Sequence, residues 1–141
     1  MSGAITPAVE KTFEYKGFPC AVLMQPLCFR TGYVGIPKGH QAYGKDYNFL
    51  DIDCHGGLTY SDFNLHGHDR ADTWWIGFDT GHFGDGYDFA TAEALFQGNE
   101  EVLRYVAQTK EFFENYPLPP MTLEYCELQC RNIVDQLLEE E

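Results

Sequence analysis

Basic residues are scarce in this chain. Its 141 residues include 9 Lys and Arg against 22 Asp and Glu, a formal charge of −13. A protein that holds nucleic acid without regard to sequence displaces counterions with a basic face, and too few cations are present to build one. The same deficit argues against an anionic membrane surface. Long apolar runs are missing as well: none approaches the ~18 residues of a membrane span. The opening MSGAITPAVEK has no basic segment followed by an apolar one, so no secretory signal is expected. Phosphate loops of the G-x-x-x-x-G-K-[ST] or G-x-G-x-x-G kind are absent, as are a G-x-S-x-G elbow, an H-E-x-x-H pair and a paired C-x-x-C. The five cysteines (Cys20, Cys28, Cys54, Cys126, Cys130) are odd in number. Without an export signal they read as free buried thiols in a reducing cytosol, not as a disulfide framework. Cys126 and Cys130, four apart, would make half a zinc site, but such sites usually take closer spacings in a loop.

What is abundant is aromatic side chains, 16 % of the chain, and glycine in the first part. Residues 1–87 hold 10 acidic and 6 basic residues, nearly all the glycines and all five histidines; residues 88–141 hold 12 acidic and 3 basic residues. The first part reads as strands and loops, the second as helices, within a single domain over 1–141. Strands are expected at 12–16, closed by a turn at Lys16-Gly17, then at 27–36, 49–54, 58–63 and 73–79, with a hairpin connection at His55-Gly56-Gly57; residues 18–25 are a continuous apolar stretch, interrupted by Pro19 and ended by Pro26. Gly32 and Gly35 suggest a bulge or a close approach of backbone. Asp88 is the expected cap of a helix over 89–96, Asn99 of one over 100–115 and Thr122 of the last. Val102, Tyr105, Val106, Phe112 and Phe113 form one apolar stripe. Leu123, Cys126, Cys130, Ile133, Val134, Leu137 and Leu138 form another, and Glu139 to Glu141 are expected to fray. The fold class is therefore α+β: an antiparallel-leaning sheet from residues 10–80, with two or three C-terminal helices packed on one face.

The histidines His40, His55, His66, His68 and His82 are interleaved with acids. Asp53 and His55 are two apart and would share a strand face. His66 and His68 precede Asp69. Asp79, His82 and Asp85 are each three apart around a glycine-rich loop. Imidazole and carboxylate together suit a borderline divalent metal or acid–base work near neutral pH. The metal candidates are Asp53, His55, Asp79, His82 and Asp85; the catalytic candidates are His55, His82 and Asp79. Cys54 beside His55 resembles a nucleophile–base pair only in sequence, since adjacent strand residues point apart. A second constellation joins aromatics with the rare cations. Tyr33, Tyr43, Tyr47, Tyr60, Trp74 and Trp75 offer stacking surfaces. Arg30, Lys38, Lys45 and Arg70 offer charge for phosphate. His40 and the glycines Gly56 and Gly57 complete the expected ligand set, the glycine amides as donors.

Four blocks stand in order: Gly32 to His40 (GYVGIPKGH), Tyr43 to Tyr47 (YGKDY), His55 to Tyr60 (HGGLTY) and Trp74 to Asp85 (WWIGFDTGHFGD), followed by Thr122 to Cys126 (TLEYC). Together they resemble a family of small bacteriophage and prophage proteins, mostly without assigned function. The resemblance implies a protein made in the cytoplasm of an infected bacterium. It implies, by context, a counter-defence role that sequesters or cleaves a nucleotide-derived immune signal.

Three readings follow. The first is a binding protein whose loops at 30–47, 55–60 and 74–85 enclose a small nucleotide-derived ligand. The second is a hydrolase, a phosphodiesterase using His55 and His82 with Asp53, Asp79 and Asp85. The third is an acidic protein-binding inhibitor presenting the helical part, Glu124 and Glu127 included. Binding is placed ahead of turnover because the metal spacings are irregular. No resident cofactor is expected, and a divalent metal is the one the His/Asp groups would admit. So small and aromatic a chain is compatible with a homo-oligomer.

Overall fold

Lys16 and Gly17 both take positive φ, 49° and 87°. This two-residue turn matches the twist of paired strands. It sets Tyr15 opposite Phe18 and joins β1 (Ala8–Tyr15) to β2 (Phe18–Met24). The computed structural model describes residues 6–66, 72–82, 85–113, 115 and 118–139. Further strands are β3 (Arg30–Ile36), β4 (Tyr60–Asp62) and β5 (Trp74–Asp79); the helices are α1 (Phe89–Leu95), α2 (Glu100–Phe113) and α3 (Leu123–Glu139). The strands form one antiparallel sheet in the order β1-β2-β3-β5-β4. The protein is an α+β fold, with its helices following its strands. Among the described residues, no helix is long and apolar enough to cross a membrane.

Period-two alternation splits the sheet residues between two faces. Cys20, Val22, Val34, Ile36, Ile76 and Phe78 point to one side. Cys126, Cys130, Ile133, Val134 and Leu137 of α3 cover them, all buried. Burying a side chain of this size stabilises by ~1.5–3 kcal/mol, so this interface is the main apolar contribution. It requires Gly32 in β3, where an added Cβ would stand 2.4 Å from the Phe78 ring. Met24 and Cys28 extend the same face and meet Ala92, Phe96, Val102 and Val106 of α1, α2 and their junction. The opposite face carries Ala21, Leu23, Tyr33 and Trp75, buried beneath Leu65 with Val9 and Tyr60 alongside.

Three expectations change. β1 begins at Ala8, four residues before the expected start at Thr12. Residues 49–54 are not a strand, and the His55-Gly56-Gly57 turn joins no hairpin. That segment satisfies its backbone on α3 instead: Asp53 N–H donates to Gln136 Oε1 (2.8 Å), and Asp53 C=O accepts from Asn132 Nδ2 (3.1 Å) and Gln136 Nε2 (2.7 Å). The α2 stripe is also only half buried. Val102 and Val106 are inside, whereas Tyr105 and Phe112 are 49 % and 71 % exposed. Asn99, Thr122 and Asp88 cap as expected, Asp88 Oδ1 accepting from Thr91 N–H (3.0 Å), Asn99 Oδ1 from Val102 N–H (3.1 Å) and Thr122 Oγ1 from Tyr125 N–H (3.1 Å).

Arg30, the first residue of β3, is 4 % exposed and fully engaged. Its guanidinium donates to both oxygens of Glu10 (2.6 and 3.1 Å), to Asp88 Oδ2 (2.8 Å) and to Met121 C=O (3.0 Å). Burial works against the charge, but the Glu10 and Asp88 carboxylates outweigh it and hold the proton more firmly than usual. For Asp88, burial likewise opposes ionisation. Bonds from Thr91 and Arg30 prevail and hold its carboxyl below the ordinary range. A depressed folded pKa means that Asp88 stabilises the fold above its unfolded value, near 4, and that this contribution is lost as pH falls through the folded value. Urea unfolding of wild type should therefore weaken between about pH 5 and pH 2. Asp88→Asn should start ~1.5–3 kcal/mol lower and show a flatter decline; an unchanged acid slope in the variant would refute the assignment.

Candidate functional site

The end of the sheet where Thr31 pairs with Asp79 gathers side chains from three places in the chain. Asp79 closes β5. Its Oδ1 accepts from Gly81 N–H (3.0 Å) and its Oδ2 from Thr59 O–H (3.1 Å), which orients the carboxylate. His82 follows in a loop folded on Asp85: Asp85 N–H donates to His82 C=O (2.9 Å), while Asp85 Oδ2 accepts from His82 N–H and from His82 Nδ1–H (both 3.1 Å). His55 arrives on the turn that Gly57 N–H closes onto Cys54 C=O (2.9 Å). Its backbone N–H is fixed by Gln129 Oε1 of α3 (2.8 Å). Its ring Nε2 reaches the two Asp85 oxygens at 3.2 and 3.0 Å, and its Nδ1 stands 2.7 Å from Tyr125 Oη. The two imidazoles lie 5.5 Å apart, centre to centre.

Asp85 is thus a carboxylate shared by two histidines. Burial opposes its ionisation, but the hydrogen bonds from His55 and from the backbone and ring of His82 hold its carboxyl below the ordinary range. With both rings neutral, His55 carries its proton on Nε2 and accepts the Tyr125 hydroxyl at Nδ1. Burial of Tyr125, with Cys126, Asp85 and Cys54 nearby, pushes the phenol up and keeps it a donor.

His55, His82 and Asp85 each offer one donor atom, and these atoms lie within 4.8 Å of one another. Donors ~2.0 Å from a tetrahedral ion stand ~3.3 Å apart, so small ring rotations suffice to place all three around one. Three protein donors leave a fourth position open, the pattern of a catalytic rather than a structural site. Metal-bound imidazoles are held through their second nitrogen. Tyr125 occupies that place for His55, and Asp79 Oδ1 stands 3.5 Å from His82 Nε2. His55, His82, Asp79 and Asp85 therefore come together, and Asp53 does not: its carboxylate is on an exposed residue whose backbone binds α3. The thiols are inert by comparison. Burial pushes Cys54 up to about 11 and Cys20, Cys28 and Cys126 up to about 12, and holds Cys130 well above the ordinary thiol value. Cys126 and Cys130 are core residues rather than half a zinc site.

The expected ligand set is not gathered into one pocket. Ile36 pairs with Trp74 at one end of β3 and β5, and Thr31 with Asp79 at the other, roughly 17 Å away at 3.4 Å per residue. Lys38, His40, Tyr43, Lys45 and Trp74 belong to the far end. There His40 is buried, its Nε2–H donating to Leu137 C=O (3.0 Å), and Trp74 Nε1–H donates to Lys45 C=O (2.9 Å). Tyr43 packs on Phe63, while Lys38 and Lys45 are exposed. Arg30 is spent on Glu10 and Asp88. Tyr33 and Trp75 are buried on the helix-free face, where the Tyr33 hydroxyl meets His66 Nε2 (2.9 Å) and Tyr60 donates to Asn64 C=O. Gly56 and Gly57 lie in the turn beneath His82. His68, Asp69, Arg70 and Gly84 fall outside the described residues, as do Glu140 and Glu141. Glu127 is not presented to a partner: it is buried, bonded to Lys11 (2.7 Å).

Sequence reasoning passed over Tyr125, Thr59 and Gln129 as site residues. A signal existed in α3. Tyr125, Gln129, Asn132 and Gln136 recur at three- and four-residue spacing, an uncharged hydrogen-bonding stripe on an otherwise acidic helix. That stripe holds His55 and the segment before it. Comparison with protein-family models, with curated proteins and with solved structures found no match.

Gly56 links the two histidines sterically. It takes φ +67°, and an added Cβ would stand 2.3 Å from His82 Cε1. Gly56→Ala should cost ~1–2 kcal/mol for its left-handed backbone and drive the His82 ring off Asp85. Zinc titration calorimetry should then show affinity weakened about 10- to 100-fold in a protein that still melts cooperatively. Unaltered affinity would mean that His82 is not a ligand.

Proposed function

We propose that the protein is a divalent-cation-dependent hydrolase of a nucleotide-type phosphoester, acting through His55, His82 and Asp85. The observation that carries this reading is the carboxylate shared by both imidazoles, with Tyr125 on the second nitrogen of His55 and Asp79 3.5 Å from that of His82. Charge favours it over anion binding by the bare protein. Asp79 and Asp85 make the cluster negative, and Arg30, at the same end of the sheet, is already neutralised by Glu10 and Asp88. A phosphate approaches such a place only with a cation. A divalent ion there would supply Lewis acidity and an activated water. His55 and His82 would hold it, Asp85 would share its charge, and Asp79, held by Thr59 and Gly81, would fix the His82 ring. In the phage setting that the sequence blocks imply, the substrate class is a nucleotide immune signal of the infected host, and the role is counter-defence by cleavage. Sequestration without cleavage, the reading ranked first on sequence, has less behind it: Arg30 is spent on two carboxylates and Tyr33 and Trp75 are buried, while Lys38, Tyr43, Lys45 and Trp74 sit at the far end of the sheet from His55, Gly56 and Gly57.

Cyclic mononucleotides and cyclic dinucleotides, incubated with the protein and manganese or zinc and then chromatographed, separate the two. Hydrolysis is expected to yield a product peak, abolished by chelator and reduced about 10²-fold or more in His82→Ala and Asp85→Asn. Ligand released intact after heat denaturation, at fixed stoichiometry, would establish sequestration and overturn the hydrolase. Turnover indifferent to both substitutions would remove the cluster from the chemistry.

A further inference from the structure

The half-buried stripe of α2 opens a groove beside the cluster. It measures about 420 Å³ and is walled by Phe29, Tyr87, Tyr105, Phe112 and Phe113, with Gln108 at its side. The rings form a continuous row: Phe112 and Phe113 centres are 4.8 Å apart, and Phe113 and Tyr87 are 4.8 Å apart at 33°. Tyr87 stacks in turn on Phe89, 5.7 Å away at 23°. Tyr105, Gln108 and Phe112 lie three and four residues apart, so one helical face presents them together. Phe112 is 71 % exposed and Tyr105 49 %, a large uncovered aromatic area for a chain of this acidity. Among the described residues, no Lys, Arg, Asp or Glu lines the groove.

Two links tie it to the cluster. Gly81 lines the groove, donates its N–H to Asp79 and precedes His82. It also lies close against Phe29, where an added Cβ would stand 2.9 Å from ring Cζ. Tyr87 follows Asp85 by two residues, so Gly81 and Tyr87, which flank the segment carrying His82 and Asp85, both line the groove.

We infer that this groove is a subsite for an uncharged planar ring, the nucleobase of the substrate, lying beside the His55–His82–Asp85 cluster that acts on the phosphoester. The inference deepens the hydrolase reading and rests on it for the fate of the ligand. The chemistry of the described lining selects the occupant. A charged group finds no counter-charge in the groove, whereas a planar ring finds aromatic faces on which to stack. The Gln108 amide offers both a donor and an acceptor for a base edge. The volume falls in the range of small-molecule sites.

The test uses a nucleoside without phosphate, on metal-free protein, so that it does not depend on the cluster. Adenosine, titrated against the full chain and followed by NMR of the aromatic side chains, should shift the Tyr87, Tyr105 and Phe113 signals, and ribose 5-phosphate should not. Phe112→Ala should weaken adenosine about tenfold, and Gln108→Ala should weaken it as well. Both positions are exposed, and retained thermal unfolding verifies that the variants fold. Adenosine that leaves the groove signals unmoved, or binds Phe112→Ala as well as wild type, overturns the inference. So does a wild-type dimer in sedimentation that Phe112→Ala converts to monomer, since the face would then belong to a second copy. Adenosine binding without any nucleotide turnover would strike the hydrolase reading alone.

Discussion

Arg30 holds both ends of the loop on which the site depends. Thr80 donates its amide and its hydroxyl to Arg30 C=O (3.1 and 2.8 Å) where the loop leaves β5. Eight residues later the Arg30 guanidinium grips Asp88 as it caps α1. Asp88 N–H, bonded to Cys28 C=O (2.9 Å), fixes the same point to the strand's approach. His82 and Asp85 lie between these anchors. A buried ion pair is weak evidence for stability in itself, because desolvation offsets much of the attraction, but breaking one partner away is costly, ~3–5 kcal/mol. Here the constraint is geometric: one guanidinium joins β1 through Glu10, β3 through its own backbone, α1 through Asp88 and the entry to α3 through Met121.

The α3 helix supplies the other half of the constraint. Its apolar side closes the core, and its uncharged polar stripe takes up the backbone of residues 53–55, which would otherwise need a partner strand. Tyr125, at its first turn, then sets the His55 ring. The site thus sits where two separately anchored segments meet, one fastened by Arg30 and one by α3. Together they bring His55 within reach of Asp85.

Much of this was legible in the residues, for identifiable reasons. β3 and β5 are β-prone runs bounded by turn residues, β2 was visible as a continuous apolar stretch, and the three helices carry caps in Asp88, Asn99 and Thr122. Local chemistry set these elements, so local reading found them. The 49–54 segment misled because an apolar, β-prone run is also what docks on a helix, and the side chains that satisfy it lie some eighty residues away in sequence. Asp79, His82 and Asp85 were legible as a spaced group. That His55 joins them, and Asp53 does not, follows from α3 and could not be read from the two-residue spacing that seemed to pair them. Arg30 looked like a phosphate ligand because cations are rare here; rarity instead reflects its use as a structural counter-ion to two carboxylates. Tyr105 and Phe112 looked like core because their spacing is helical, and the face they share is open.

The acidity of the chain is consistent with the proposed chemistry. A site built from two imidazoles and two carboxylates has no fixed positive charge with which to meet a phosphate, so a cation at His55, His82 and Asp85 is the central claim. Anomalous X-ray diffraction at the zinc or manganese edge, from crystals grown with the ion, tests it most directly. The account predicts one strong peak between His55 Nε2, His82 Nδ1 and the Asp85 carboxylate. A map with no peak there, or with the ion held at Cys126 and Cys130 or on surface acids alone, would contradict it.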